Sequence, residues 1–205
     1  MSIKVLHINY SDNKGGAAIA LERICKAQQE LDINPKVIAA EKYSNNNNVI
    51  GPNSTIEEIK WKILSSINRK LNNLENKKRY DSNSYNLIPN NFVKKINKIQ
   101  CDIVNLHWIG GNLIPIKDLK KINKPIVWTL HDMWAYTGSE HYTKSLRFAE
   151  GYNKNNKPKD SKGYDLEKYC WNLKKKFYPS NLKIITTSDW QFNNAKKSVL
   201  LKDKD

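Results

Sequence analysis

Short β-branched apolar runs alternate along the chain with stretches of helical spacing. Residues 3–9 are typical of a buried strand, and from Ala17 onward the apolar positions fall on one helical face. Residues 35–40 then complete a strand–helix–strand unit. Three further runs predict more strands: residues 102–107, 125–131 and 182–187. We therefore expect an α/β fold, a Rossmann-like, doubly wound, mostly parallel sheet with helices on both faces.

The region between the second and third strands departs from this regular alternation. A polar tract, residues 44–48, leads into residues 56–74, whose apolar positions are spaced as in a long amphipathic helix. We predict a helical excursion at about residues 54–85 within one domain that covers residues 1–205. Shorter helices are predicted at residues 92–99 and 116–122.

The composition indicates a folded globule, with 39% hydrophobic residues, six Trp and ten Tyr. No run approaches the roughly 18 continuous apolar residues of a membrane span, and the first residues lack the apolar core of a signal peptide. A cytoplasmic chain is therefore predicted. The three cysteines are widely separated, which favours reduced thiols over a disulfide framework or a zinc knuckle.

The formal charge of +15 is compatible with a nucleic acid, an anionic membrane or a phosphorylated substrate as partner. Its lysines are dispersed over many segments, so solvated helix faces are the simplest interpretation. No nucleic-acid motif accompanies them, and we expect no nucleic-acid partner. Peripheral contact with the anionic inner face of a membrane stays open.

Ligands of doubly wound sheets bind beyond the carboxyl ends of the strands, so the loops that follow the strands hold the candidate chemistry. Gly15 and Gly16 lie between the first strand and the first helix, where free N–H groups and the helix dipole favour an anion. Their spacing is neither that of a Walker loop nor that of a dinucleotide-binding loop, and a purely structural turn is an equal alternative. His107 ends another strand, where a structural histidine is also common.

Residues 131–142 form the densest group of polar and aromatic side chains. Aromatic faces stack on sugars, and carboxylates and imidazoles hydrogen-bond hydroxyls or move protons. The alternative is an aromatic-rich loop packed over the sheet, with Asp132 capping a helix. No third group has metal-ligand spacing, so no metal site is predicted.

Four sequence runs together resemble the N-terminal domain of family 4 glycosyltransferases, the retaining GT-B enzymes that build bacterial surface polysaccharides. They are VLHIN at residues 5–9, NLHWIGG at 105–111, KPIVWTLHDMWAYTGSEHY at 124–142 and TTSDW at 186–190. The resemblance covers nearly the whole chain. It implies a hexosyltransferase half that takes a nucleotide-sugar donor and a glycan or lipid-linked acceptor, without a cofactor or bound metal.

Site residues follow from the resemblance position by position. It implies that His107 is the catalytic residue that closes on the donor sugar, and that Gly15 and Gly16 approach the donor diphosphate. The remaining substrate-binding candidates are Trp108, His131, Asp132, Trp134, Thr137, Gly138, His141, Tyr142 and Ser188.

The chain departs from the family pattern in two ways. Close relatives carry cysteines in the loop that here is the Lys/Asn-rich stretch at residues 151–163, so any cysteine-held loop is absent and the acceptor pocket differs. The family's C-terminal donor-binding domain lies outside these residues, which leaves a truncation, a gene fragment or a half that works with a separate domain. We expect such a half to be inactive alone. A non-catalytic carbohydrate- or anion-binding module is the alternative.

Overall fold

All described strands belong to one six-stranded parallel sheet with the order β3-β2-β1-β4-β5-β6. The computed structural model describes residues 2–71, 83–159, 161 and 163–204, except the side chain of Arg69. The strands are β1 (Lys4–Ser11), β2 (Asn34–Glu41), β3 (Val49–Ile50), β4 (Ile103–Leu106), β5 (Ile126–Leu130) and β6 (Lys183–Thr186).

Helical segments connect these strands. They are α1 (Gly16–Glu30), α2 (Thr55–Lys70), α3 (Phe92–Lys98), a 3₁₀-helix (Ile116–Lys121), α4 (Arg147–Glu150), α5 (Leu166–Phe177) and α6 (Asp189–Lys197). The predicted α/β fold is confirmed, and each predicted strand is found. The sequence pattern missed β3, because two residues are too few to show a periodicity.

The two faces of the sheet are buried by different helices. Side chains that are adjacent along a strand point to opposite faces, as Val37 and Ile38 do in β2. Ile38 belongs to the large hydrophobic core, which includes Trp61 of α2 and Phe92 of α3. Val37 packs in a small cluster with Leu21 of α1. Helices therefore cover both faces, and the loops after the strands remain along one edge.

Helix α2 is amphipathic as predicted, but much of its apolar surface does not pack on the sheet. Trp61, Leu64 and Asn68 are buried, and the Asn68 carboxamide oxygen accepts from the Tyr85 backbone N–H at 2.8 Å. Four isoleucines are instead exposed, at 80%, 50%, 52% and 40% for Ile56, Ile59, Ile63 and Ile67. Residues 72–82 of the predicted excursion lie outside the described residues.

Among the described residues, no helix is both long enough and apolar enough to cross a bilayer.

Candidate functional site

The Gly15 loop joins β1 to the first turn of α1. Gly15 precedes the helix with φ +87°, a conformation that strains any L side chain. No side chain caps the helix start and no acidic residue lies in its first turn, so the backbone N–H groups there are not met by a carboxylate. With the positive end of the helix dipole, this arrangement suits a bound anion.

An open pocket of about 320 Å³ lies over this helix start. Tyr10, Lys14, Glu41 and Trp108 line it together with both glycines. The Lys14 ammonium lies 3.6 Å from the centre of the Tyr43 ring, and the Tyr43 hydroxyl donates to the Glu41 carboxylate at 2.8 Å. The pocket is thus lined by the cationic Lys14 side chain and by the Glu41 carboxylate.

Three of the four histidines form one chain of hydrogen bonds across β1, β4 and β5. His7 Nδ1 lies 3.0 Å from His107 Nε2, and His107 Nδ1 lies 2.9 Å from His131 Nε2. At the far end, His7 Nε2 lies 2.8 Å from the carboxamide oxygen of Gln28 in α1. We call these four residues the histidine chain.

Burial keeps the histidine chain neutral near pH 7. Desolvation lowers the pKa of His107 well below its ordinary value, and the neighbouring His7 and His131 lower it further. Burial also lowers the pKa of His7 and of His131, against the opposing influence of Gln28 and Asp132 respectively. His107 is only 2% exposed and both its ring nitrogens are engaged, so His131 is the member that reaches the edge.

A second network ties the loop after β5 to residue 84. Asp132 Oδ2 lies 2.5 Å from His141 Nδ1, and His141 Nε2 lies 2.8 Å from the Ser84 hydroxyl. The other oxygen of Asp132 accepts from the Trp134 backbone N–H at 2.9 Å. The Trp108 ring stacks on His141 with centroids 5.1 Å apart, which fixes the imidazole plane.

Ser84, His141 and Asp132 stand in the order of a nucleophilic triad, but the hydroxyl is enclosed. Ser84 is 2% exposed, and its oxygen accepts from the Gly111 backbone N–H at 3.0 Å. The cavity beside His141 measures only about 10 Å³, which has no room for a substrate carbonyl. The network therefore orients the loop and does not present a nucleophile.

Besides His107 and His141, three further predicted site residues lie inside the protein. Trp134 donates from its indole to the Ser84 carbonyl at 2.6 Å, and the Thr137 hydroxyl donates to the Glu140 carbonyl at 2.6 Å. A Cβ at Gly138 would lie 2.7 Å from Glu167, so glycine is required for the loop to approach α5. These residues shape the loop from within and do not line an open surface.

The buried Lys174 supports the same loop from α5. Its ammonium donates to the carbonyls of Trp134 and Thr137 and lies 3.7 Å from the Trp134 ring centre. Burial lowers the pKa of Lys174 to about 7, although Cys170, Glu140 and Asp132 oppose the shift. Sequence analysis missed this residue because it stands in a lysine run typical of a solvated helix face.

An ion-pair network holds the segment in which the resembled family carries cysteines. Arg147 pairs with Glu167 at 2.9 Å and with Asp165 at 2.6 Å, and its guanidinium lies 4.3 Å from the Tyr152 ring centre. The Tyr152 hydroxyl in turn lies 3.2 Å from Glu140. Ion pairs of Arg147 therefore hold this part of the chain, and residues 151–163 contain no cysteine.

The exposed candidates lie at the rim. Tyr142 is 58% exposed, and its hydroxyl lies 3.4 Å from the His131 carbonyl. Ser188 is exposed and caps α6 by accepting from the Gln191 backbone N–H at 3.2 Å. The Gln191 side chain donates to the Asp132 carbonyl, which connects α6 to the edge.

The accessible candidates thus form one strip along the edge, from the Gly15 loop through Trp108 to His131, Asp132 and Tyr142. Trp108 lines both the open pocket and the small cavity, so it joins the two ends. No group of three or more His, Cys, Asp or Glu suited to a metal ion occurs in the part of the chain that the structure describes.

Comparison of the chain with protein-family models, with curated proteins and with solved structures finds no match. The resemblance to family 4 glycosyltransferases therefore rests on the motifs of the sequence, and the structure shows the parallel α/β fold.

Proposed function

We propose that the chain is the acceptor-side domain of a glycosyltransferase that moves a sugar from a nucleotide-sugar to a glycan or lipid-linked acceptor. One observation carries the proposal. An anion-favouring helix start and a strip of aromatic and hydroxyl-binding side chains lie on the same sheet edge, with Trp108 common to both pockets. A nucleotide-sugar and a sugar acceptor together require both chemistries.

The donor diphosphate is assigned to the Gly15 end. The uncapped first turn of α1 and the Lys14 ammonium supply positive potential there. Glu41 repels a second anionic group on the opposite side of the pocket and suits a hydroxyl. This sets the direction in which a diphosphate extends along the edge.

The acceptor is assigned to the other end, where Trp108, His131 and Tyr142 are accessible. One face of the Trp108 ring stacks on His141, and the half-buried remainder of the ring is assigned to the apolar side of a sugar ring. His131 with Asp132 offers hydrogen-bonding groups. His107 keeps a place in this proposal, but as a buried residue that positions His131. It is not expected to touch the donor in this arrangement.

A donor-binding domain, on the same polypeptide or on a partner, completes the proposed site from the opposite side. The test measures sugar transfer and nucleotide-sugar hydrolysis by the isolated chain and by the chain with such a domain. Transfer is expected only with both. Robust transfer by the isolated chain would contradict the half-site, and no transfer with any nucleotide-sugar in the complete form would contradict the function.

A second candidate is a carbohydrate- or anion-binding module without chemistry. It is favoured by the enclosure of His107 and Ser84, which leaves the edge with binding groups but few accessible reactive ones. One comparison distinguishes the two functions. A binding module retains the affinity of glycans and shows no transfer in any complex, whereas the acceptor-side domain loses transfer when Trp108 is replaced by alanine.

We also propose that α2 contacts the cytoplasmic face of an anionic membrane. Ile56, Ile59, Ile63 and Ile67 form an exposed apolar stripe along α2. Lys60, Lys62 and Lys70 flank the stripe, and the whole chain carries a formal charge of +15. An apolar helix face bordered by lysines is the pattern of helices that lie in a membrane interface, where a lipid-linked acceptor would be found.

A further inference from the structure

The geometry points to the histidine chain as a tautomer relay in which Gln28 fixes His131 Nδ1 as a hydrogen-bond acceptor at the edge, selective for a ligand hydroxyl over a phosphate. This inference rests on the proposed function for the identity of the hydroxyl, a sugar hydroxyl, but the relay itself does not.

Each hydrogen bond between neighbouring members of the histidine chain holds one proton. The Gln28 carboxamide oxygen is an acceptor, so His7 must carry its proton on Nε2 and present a lone pair at Nδ1. That lone pair requires a proton on His107 Nε2, and the free His107 Nδ1 then requires a proton on His131 Nε2. A neutral His131 is therefore left with its lone pair on Nδ1.

His131 is the one member of the relay whose second nitrogen has no partner among the described residues. Its Nε2 faces His107, and the ring is half-buried at the edge beside Trp108. The pKa shifts from burial keep all three imidazoles neutral at pH 7, in support of this assignment. Nδ1 is thus the ring nitrogen of the relay that is left to hydrogen-bond a ligand at this part of the edge.

An imidazole lone pair discriminates between ligand groups. It accepts from a hydroxyl, whereas the oxygens of a fully ionised phosphate ester carry no proton, offer only lone pairs and gain no hydrogen bond. The carboxylate of the adjacent Asp132 adds repulsion toward an anion, since it lies close enough to influence His131. The His131 end is therefore a hydroxyl subsite, in contrast to the anion-favouring Gly15 end.

Gln28 is a positioning residue in this scheme, because it acts through His7 and His107 without reaching the edge. Its backbone is fixed near the end of α1, where its carbonyl accepts from Leu31 and Ile33. A hydrogen-bond donor at position 28 would reverse the direction of each hydrogen bond in the histidine chain. His7, His107 and His131 would then each carry the proton on Nδ1, and His131 would present N–H to the ligand.

The test reads the tautomers directly by long-range ¹H–¹⁵N spectra of the full chain labelled with ¹⁵N-histidine at pH 8. Wild type is expected to show Nε2–H at His131. Gln28→Lys places a donor against His7 and is expected to reverse His131 to Nδ1–H. Gln28→Glu keeps an acceptor, and Gln29→Lys adds the same charge at the exposed neighbouring position; both are expected to retain Nε2–H.

Ligand selectivity is read in the same spectra with methyl glucoside and methyl phosphate at equal concentrations, because a phosphate monoester, with a second pKa of about 6, has no P–OH at pH 8. The sugar is expected to shift His131 Nδ1 more than phosphate does in wild type, and the order is expected to reverse in Gln28→Lys. Nδ1–H at His131 in wild type, an unchanged tautomer in Gln28→Lys, or a larger wild-type shift with phosphate would overturn the inference.

These outcomes are separable from those of the transfer assay. If the expected tautomers are found but no complex transfers sugar, the relay is supported and the glycosyltransferase function is contradicted. Sugar transfer together with an unchanged His131 tautomer in Gln28→Lys would support the glycosyltransferase and contradict the relay. If Gln28→Lys does not fold, the wild-type tautomer and the sugar-against-phosphate comparison still decide.

Discussion

Arg147 and Glu167 form an ion pair whose side chains are only 2% and 1% exposed, with Nη1 and Oε2 2.9 Å apart. A buried pair of this kind adds modest net stability but is costly to break, since the remaining charge stays buried without a partner. The pair also fixes the segment between the edge loop and α5, where Gly138 packs against Glu167. Its role is therefore to hold the edge loop in place.

Replacing Arg147 with methionine is expected to lower the free energy of unfolding by about 3–5 kcal/mol, because the buried Glu167 and the neighbouring Asp165 both lose their ion pair with Arg147. Urea unfolding measures this loss. The control is Arg23→Met on the exposed surface of α1, expected to change stability by less than about 0.5 kcal/mol. Adding Glu167→Gln to Arg147→Met should recover part of the loss. A loss below about 1 kcal/mol would contradict the assignment.

Lys174 is expected to give the free energy of unfolding a positive slope above pH 7. Burial lowers its pKa to about 7, so between there and its ordinary value of 10.5 the unfolded chain holds a proton that the folded chain does not. The free energy of unfolding then rises with pH, by at most about 1.4 kcal/mol per pH unit.

The measurement compares urea unfolding of wild type and Lys174→Met between about pH 7 and 8.5, a window below the ordinary pKa of a thiol. Above it, Cys25 offsets the trend, because its pKa is raised to about 11 and the unfolded chain loses that proton first. The variant should show a flatter profile. Equal slopes in the two proteins would mean that Lys174 remains charged in the fold.

Ser84→Ala tests whether the Ser84, His141 and Asp132 network is structural. Removing the hydroxyl leaves His141 Nε2 and the Gly111 N–H without their partner, so stability is expected to fall by about 1–3 kcal/mol. Esterase activity toward an activated ester should be absent in both wild type and variant. Hydrolysis by wild type that is lost in Ser84→Ala would instead identify a working nucleophile.

The α2 stripe predicts binding to liposomes that contain anionic lipid. Sedimentation should show wild type bound at low salt, with weaker binding as salt screens the lysines. Ile56→Ser together with Ile63→Ser removes exposed apolar surface and should reduce binding without loss of stability. Ile19→Ser is the control, because Ile19 is an apolar position on α1 whose 49% exposure is close to the 52% of Ile63. Equal binding by all variants would place the contact elsewhere.

The fold was predictable because its strands carry their own signal. Residues such as Leu6, Ile8, Val104 and Leu106 make apolar runs that a central parallel strand requires. The orientation of α2 was not predictable, because only the packed structure shows that Trp61, and not Ile56, faces the sheet. A strand of two residues such as β3 lies below the length at which a period can be recognised.

The site was predictable in its loops but not in its buried connections. His7 has a signal that sequence analysis passed over: with Asn9 and Ser11 it forms a polar alternation within an apolar strand, and such a row marks one face of the sheet. Gln28, Lys174 and Arg147 carry no local signal. Their partners are distant in sequence, so only the tertiary structure shows what they hold.

The central claim is that one edge binds a diphosphate at the Gly15 end and sugar hydroxyls at the His131 end. The most direct measurement is amide chemical-shift mapping of the full chain during titration with a panel of nucleoside diphosphates, nucleotide-sugars and simple glycans. Diphosphates should shift Gly15, Gly16 and Lys14, and glycans should shift Trp108, His131 and Tyr142. Shifts at neither set with any member of the panel, or diphosphates acting at His131 and not at Gly15, would contradict the account.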